Sequence, residues 1–138
     1  MRSVLLVVVV LPLSLAAQEP VRPIAPAVAA KKVNEKVVVQ MEVKSTGGNT
    51  ARYLNSAADF RDGSNFAIYI PSANVEKFKQ TIMQDPAVYY KGKTIVVTGV
   101  VTLDREKPQI KAENPAQIKV VGNDDSPATP KTRPPTRQ

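Results

Sequence analysis

The chain has 138 residues, with 19 Lys and Arg against 12 Asp and Glu for a net charge of +7, and it contains neither histidine nor cysteine. Without those two residue types, zinc sites, disulfides and nucleophilic catalysis by Ser–His or by Cys are excluded, and no cofactor is implied. Five of the seven net charges fall within residues 31–121, so the basic excess belongs to the part that folds; this suits an anionic partner, with solubility alone as the competing reason.

Residues 1–17 have the parts of an export signal in order. Arg2 opens the chain, an apolar run from Val4 to Leu15 follows, and Ser14 and Ala16 are small residues spaced for cleavage near Ala16–Ala17. The run has 12 residues, too few for a membrane span of about 20, and the absence of Cys excludes a lipoprotein anchor. The expected mature chain is therefore exported, to the periplasm or beyond, with no membrane span. Residues 18–30 contain Pro20, Pro23 and Pro26 among Ala and Val and read as an extended, polyproline-like spacer. At the other end, residues 122–138 carry Pro, Thr and charged side chains with Ala128 the one apolar residue. That composition cannot build a packed core and predicts a disordered tail.

The periodic signal lies in residues 31–121, one domain with no internal repeat. Val37, Val39, Met41 and Val43 alternate with Val38, Gln40, Glu42 and Lys44, predicting a first strand. Thr46–Gly47–Gly48–Asn49 is turn chemistry. Ala51–Asn55 is a short second strand with Leu54 inward, Asp59–Asn65 a loop, and Phe66, Ile68 and Ile70 the inward face of a third strand stopped by Pro71. The period then changes: Val75, Phe78 and Ile82 share one face of an amphipathic helix, with Ser72 as its expected N-cap and Asp85–Pro86 as its end. Lys93–Leu103 is a long fourth strand in which Gly99 marks a bend or bulge. After the charged turn Asp104–Lys107, residues 109–121 form a fifth strand interrupted at Asn114–Pro115.

Five strands with one helix between the third and fourth is the order of an OB-fold barrel, a mainly β class; another small β-barrel or an α+β sandwich are the competing architectures. The stretch Tyr90–Val101, with Gly92–Lys93 followed by alternating Val and then Gly99, resembles the fourth strand of nucleic-acid-binding OB domains. Pro108–Ile110 with Asn114–Ile118 is similar to their closing strand, and Tyr53–Asn55 with Asn65–Pro71 to their second and third. Over about residues 33–121 the chain resembles small exported bacterial OB domains of the tRNA-anticodon-binding-like group. That resemblance implies a non-catalytic binding module for single-stranded nucleic acid or another polyanion. A thermonuclease-like reading finds Asp59, Arg61 and Asp62 together but no second arginine motif, and the aspartate-rich signature of periplasmic stress-response OB proteins is absent.

OB barrels bind on the outer face of strands 2 and 3. With Leu54, Phe66, Ile68 and Ile70 inward, Tyr53, Asn55 and Tyr69 are expected outward on that face, where the tyrosines could stack bases. Arg52, Arg61, Lys44 and Lys107 are expected around it to meet phosphates. Phe60 is a third platform or, since exposed Phe is uncommon, a core residue. The structural alternative for both tyrosines is packing beneath a loop. Export also favours a second partner class, a protein of the cell envelope, with the proline-rich ends as tethers.

Overall fold

A computed structural model describes residues 21–122; the expected leader and nearly all of the expected tail, residues 1–20 and 123–138, lie outside the described residues. The chain is mainly β. In order it forms α1 (Pro26–Ala29), β1 (Lys36–Glu42), β2 (Ser45–Gly47), β3 (Arg52–Asn55), β4 (Ala67–Ile70), α2 (Ser72–Ile82), α3 (Pro86–Tyr89), β5 (Thr94–Asp104), β6 (Lys107–Lys111), a 3-10 turn (Pro115–Gln117) and β7 (Ile118–Val120). The strands make one curled sheet in the order β1-β5-β6-β4-β3-β2, with β7 added to β5. All pairings between these strands are antiparallel except β4 with β6.

Two backbone events explain why the sheet has seven strands where the sequence predicts five. At the first, the Val43 N–H donates to the Lys93 carbonyl at 2.9 Å, while the next N–H, that of Lys44, donates to the Asn55 carbonyl at 2.9 Å. The chain thus changes partners within two residues, from β5 to β3, so that the expected first strand, β1, is followed by an additional strand, β2. Thr46 and Gly47, expected to begin a turn, instead join Ser45 in a strand paired with Tyr53–Asn55. The second event is at Asn114–Gln117, where a capping box starts a 3-10 turn and separates β6 from β7.

Gln117 spans that second break. Its Oε1 accepts from the N–H groups of Glu113 (2.8 Å) and Asn114 (3.0 Å), and its Nε2 donates to the Thr98 and Lys111 carbonyls at 3.1 and 3.3 Å. A side-chain amide therefore replaces ladder bonds where β5 passes from β7, at Ile95–Val97, to β6, at Val101–Asp104. Gly99 lies in this interval, and a Cβ placed on it would sit 2.5 Å from Cγ2 of Ile110. The glycine serves close approach between strands, with no left-handed φ involved.

The inner face of the curled sheet is the core: Val37, Val39, Met41, Val43, Leu54, Ile68, Ile70, Ile95, Val97, Val101 and Ile110 are all buried, as the period-2 pattern predicts. Helix α2 lays Val75 and Phe78 against it, each burial stabilising by roughly 1.5–3 kcal/mol. Ser72 is the first helical residue rather than the N-cap; Pro71 occupies the cap with no side-chain bond, and the helix ends at Met83 in the left-handed conformation, φ 57°. Asp85–Pro86 begins a separate short helix instead of merely ending the first, so two helices connect β4 to β5 where one was expected. No helix among the described residues is long and apolar enough to cross a membrane.

The stretch read as an extended spacer also departs from expectation. Ile24 forms a parallel β-bridge with Val39, α1 follows, and Ala29 is fully buried in the core cluster. Apolar spacing over so short a run is too brief to register as a helix, which explains why composition alone suggested extended chain.

Candidate ligand-binding groove

A groove of about 740 Å³ opens on the outer face of β2, β3 and β4, between the β2–β3 turn, the β3–β4 loop and the β5–β6 hairpin. Tyr53 forms part of its wall. The tyrosine is directly opposite Tyr69 in register, with ring centroids 5.2 Å apart and planes tilted by 32°. Tyr53 borders the groove and Tyr69, half-buried, backs it without lining the cavity. Burial, then the neighbouring Tyr69 and Asp104, raise the Tyr53 hydroxyl above its ordinary pKa against the opposing pull of Arg105, so it is a protonated donor at neutral pH.

Asn55 faces outward by strand parity, yet it is only 4 % exposed. The loop from Ser56 to Phe66 folds across its end of β3 and makes it the floor of the groove rather than an open surface residue. Asn65, 6 % exposed, holds that loop: its Oδ1 accepts from the Ala57 N–H at 3.1 Å and its Nδ2 donates to Asn55 Oδ1 at 3.2 Å. Ser45 Oγ donates to the Ala57 carbonyl at 2.7 Å, and the Phe66 N–H donates to Ser56 Oγ at 2.8 Å.

Phe60 is 60 % exposed at the rim, and its expected burial in the core does not occur. Loop polar bonds fix the backbone here while the ring stands out, with Lys107 Nζ 5.7 Å and Arg61 Cζ 5.8 Å from its centroid. Lys107 also donates to the Phe60 carbonyl at 3.3 Å, tying the β3–β4 loop to the β5–β6 hairpin. Arg61 is paired with Asp59 at 3.1 Å, both exposed, and Asp62 accepts from the Ser64 N–H and hydroxyl. The acidic side chains of this loop are thus engaged in its own turns.

Two expected site residues are elsewhere. Lys44 is exposed at the β1–β2 junction and does not line the groove. Arg52 turns away to Asp85: Nη2 lies 2.8 Å from Oδ2 and Nε 3.1 Å from Oδ1, with the side chains 15 % and 29 % exposed. Asp85 also accepts from the Ala87 N–H at 2.9 Å, capping α3. The Arg52 hydrogen bonds, aided by that backbone donor, hold the Asp85 carboxyl below its ordinary 3.8 against the opposing effect of burial. A carboxyl depressed in the folded state stabilises fully above its unfolded pKa and loses that contribution as pH falls through the folded value. Asp85→Asn keeps a good cap and removes the charge. It is expected to cost about 1–2 kcal/mol at pH 7, with the gap from the parent narrowing at a pH below the ordinary 3.8, as the folded-state carboxyl takes up its proton. Urea melts at both pH values check this, and a pH-independent gap would contradict it.

Arg105 is the residue that sequence reading passed over. It lines the groove from a two-residue hairpin turn in which Arg105 and Glu106 both have positive φ, 49° and 67°. Asn–Gly is the usual sequence for such a turn, so Arg–Glu gives no signal of it. Left-handed backbone costs a non-glycine residue roughly 1–2 kcal/mol. Glu106→Gly, at a position that does not line the groove, is expected to stabilise the fold by about 1 kcal/mol. An unchanged urea midpoint would count against strain at this turn.

No known family model matches the chain, and no curated protein matches it in sequence. Among solved structures it is similar to the OBody AM1L10 bound to hen egg-white lysozyme, at 17 % identity over 75 % of this chain and 96 % of that one, with a TM-score of 0.51. The OBody AM3L15 bound to the same lysozyme is 18 % identical, with the same coverage and a TM-score of 0.50. The fold is OB-like. Asparaginyl-tRNA synthetase from Pyrococcus horikoshii is a further neighbour at 14 % identity and a TM-score of 0.49, the match spanning 74 % of this chain and 23 % of the synthetase.

Proposed function

We propose that this chain is an exported, non-catalytic binding module that holds single-stranded nucleic acid, or another polyanion, in the groove over β3 and β4. Counting β1 with β2 and β6 with β7 as single kinked strands, its architecture reduces to a five-stranded OB barrel. The observation that carries the reading is one groove combining an aromatic wall, Tyr53, with cations on its rim, Arg61, Arg105 and Lys107. Bases stack on aromatic faces largely without regard to sequence, while phosphates release counterions when they meet Lys and Arg. Export rests on the charged, apolar and small segments of residues 1–17, with cleavage near Ala16–Ala17. A non-catalytic role rests on the absence of His and Cys and on the local pairing of Asp59 and Asp62.

Fluorescence anisotropy with labelled (dT)15 tests the reading, at about 20 mM and about 150 mM salt. Binding that weakens with salt is expected; no binding at the lower salt would overturn it. A second reading, docking to a protein of the cell envelope, is favoured by the exposed ring of Phe60 beside the groove. Stoichiometric capture of one envelope protein that is lost on Phe60→Ala, together with no oligonucleotide binding, would select it.

A further inference from the structure

The floor of the groove offers a ligand a hydrogen-bond donor and withholds the matching acceptor. The orientation of both floor amides follows from a backbone group whose direction is fixed. The Ala57 N–H can only donate, so the atom of Asn65 facing it at 3.1 Å is Oδ1. The other end of Asn65 is therefore Nδ2, which donates to Asn55 and makes the atom it meets, at 3.2 Å, Oδ1. Amide ends are assigned by such networks, and here the chain of donors leaves one outcome. Asn55 Nδ2 has no hydrogen-bond partner among the described residues, yet no fully buried side-chain nitrogen or oxygen there lacks one. The Nδ2 amide thus reaches open space, and the groove is the space that Asn55 lines.

Asn55 and Asn65 are both nearly buried, so a ligand that closes the groove without offering Asn55 Nδ2 an acceptor would strand that donor, at a cost of about 1–3 kcal/mol. We propose that Asn55 is a specificity-determining residue that selects bases presenting a carbonyl acceptor, such as thymine, uracil and guanine, over those presenting an amino group at the same edge. This rests on the nucleic-acid reading above. The rim cations are the partners for phosphate; the uncharged floor beneath Tyr53 suits a base, because a phosphate would surrender far more hydration to enter it.

The test compares (dT)15 with (dC)15 at pH 8 and low salt. The two differ at position 4, where thymine has an oxygen and cytosine an amino group, and with it at N3, a donor in thymine and an acceptor in cytosine; (dU)15, which lacks the thymine 5-methyl and should bind as (dT)15 does, separates the carbonyl from the methyl. The parent chain is expected to bind (dT)15 about fivefold more tightly, the worth of one hydrogen bond. Asn65→Asp supplies an acceptor where Asn65 had a donor, so Asn55 must turn its Nδ2 inward and present Oδ1; the preference should then reverse, although Asn55 itself is unchanged. Asn55→Asp places an acceptor in the groove directly and should weaken both oligonucleotides while abolishing the preference for (dT)15; it decides the matter if Asn65→Asp fails to fold. Equal affinity of the parent for the two strands, or a thymine preference retained in either folded variant, would overturn the role of Asn55 while leaving the binding reading intact. Absence of binding to both strands would overturn that reading as well.

Discussion

Gly99→Ala is expected to destabilise the protein by about 1–3 kcal/mol, and Gly99→Val by more. The added Cβ would meet Ile110 Cγ2 at 2.5 Å, and that methyl is on a branch point of a fully buried side chain, not the end of a flexible one. Ile110 cannot swing aside without opening the core between β5 and β6. Gln117 Nε2, 3.5 Å from the same point, would also be pressed, and it supplies the bonds that carry the sheet across its break. A double-mutant cycle makes the cause measurable. In an Ile110→Ala background the Cγ2 obstacle is gone, so the added methyl of Gly99→Ala should become neutral or stabilising. Additive urea-melt losses would place the cost of Gly99→Ala somewhere other than this contact. For a domain whose whole stability is typically about 5–15 kcal/mol, the valine variant removes a large share of it.

Tyr53→Ala is expected to weaken (dT)15 binding about tenfold, within the roughly 1–3 kcal/mol range for one base–aromatic stack. Tyr69→Ala should cost less, about threefold, because Tyr69 supports Tyr53 from outside the groove. Sequence parity treats the two tyrosines as equals; the groove geometry does not. Tyr53→Phe keeps the ring and should bind nearly as the parent does. The salt dependence is bounded by the same geometry. With Arg61 already paired to Asp59, Arg105 and Lys107 are the cations most available, and at about 0.7 per phosphate contact on a single strand the log–log slope should lie near −1.4. Anisotropy titrations of the three variants over a range of salt check both statements. Unchanged affinity in Tyr53→Ala, or a slope near zero, would remove the stacking and phosphate contacts from the account.

What the sequence made legible was whatever depends on near neighbours. The alternation of Val37, Val39, Met41 and Val43, the inward Leu54, Ile68 and Ile70, and the apolar stripe Val75–Phe78–Ile82 all appear in the structure on the faces their periods dictate. The failures share a different cause. Asn55 obeys strand parity and is nonetheless buried, because parity is silent about a loop folding back over the outer face. Arg52 was assigned to the groove, but its partner Asp85 is 33 residues away, beyond any local pattern. Lys44 belongs to the point where one strand changes partners, an event that follows from barrel curvature and not from hydrophobic spacing. Phe60 defeats a general tendency of its residue type, and Arg105 occupies a turn whose conformation its sequence does not favour. The face used for the candidate site was therefore readable, and much of its chemistry was not.

The parallel bridge at Ile24 changes what the outer edge of β1 offers to another strand. One side of β1 is paired with β5; on the other, Ile24 donates its N–H to the Val38 carbonyl at 2.8 Å and accepts from the Gln40 N–H at 3.0 Å. Those two bonds occupy backbone groups that would otherwise be free for strand addition by another chain. The short piece between Ile24 and Ala30 thus acts as a guard against intermolecular sheet growth, despite a composition that suggests a tether. A chain trimmed to Lys31, where the periodic pattern begins, keeps its barrel strands and loses that guard.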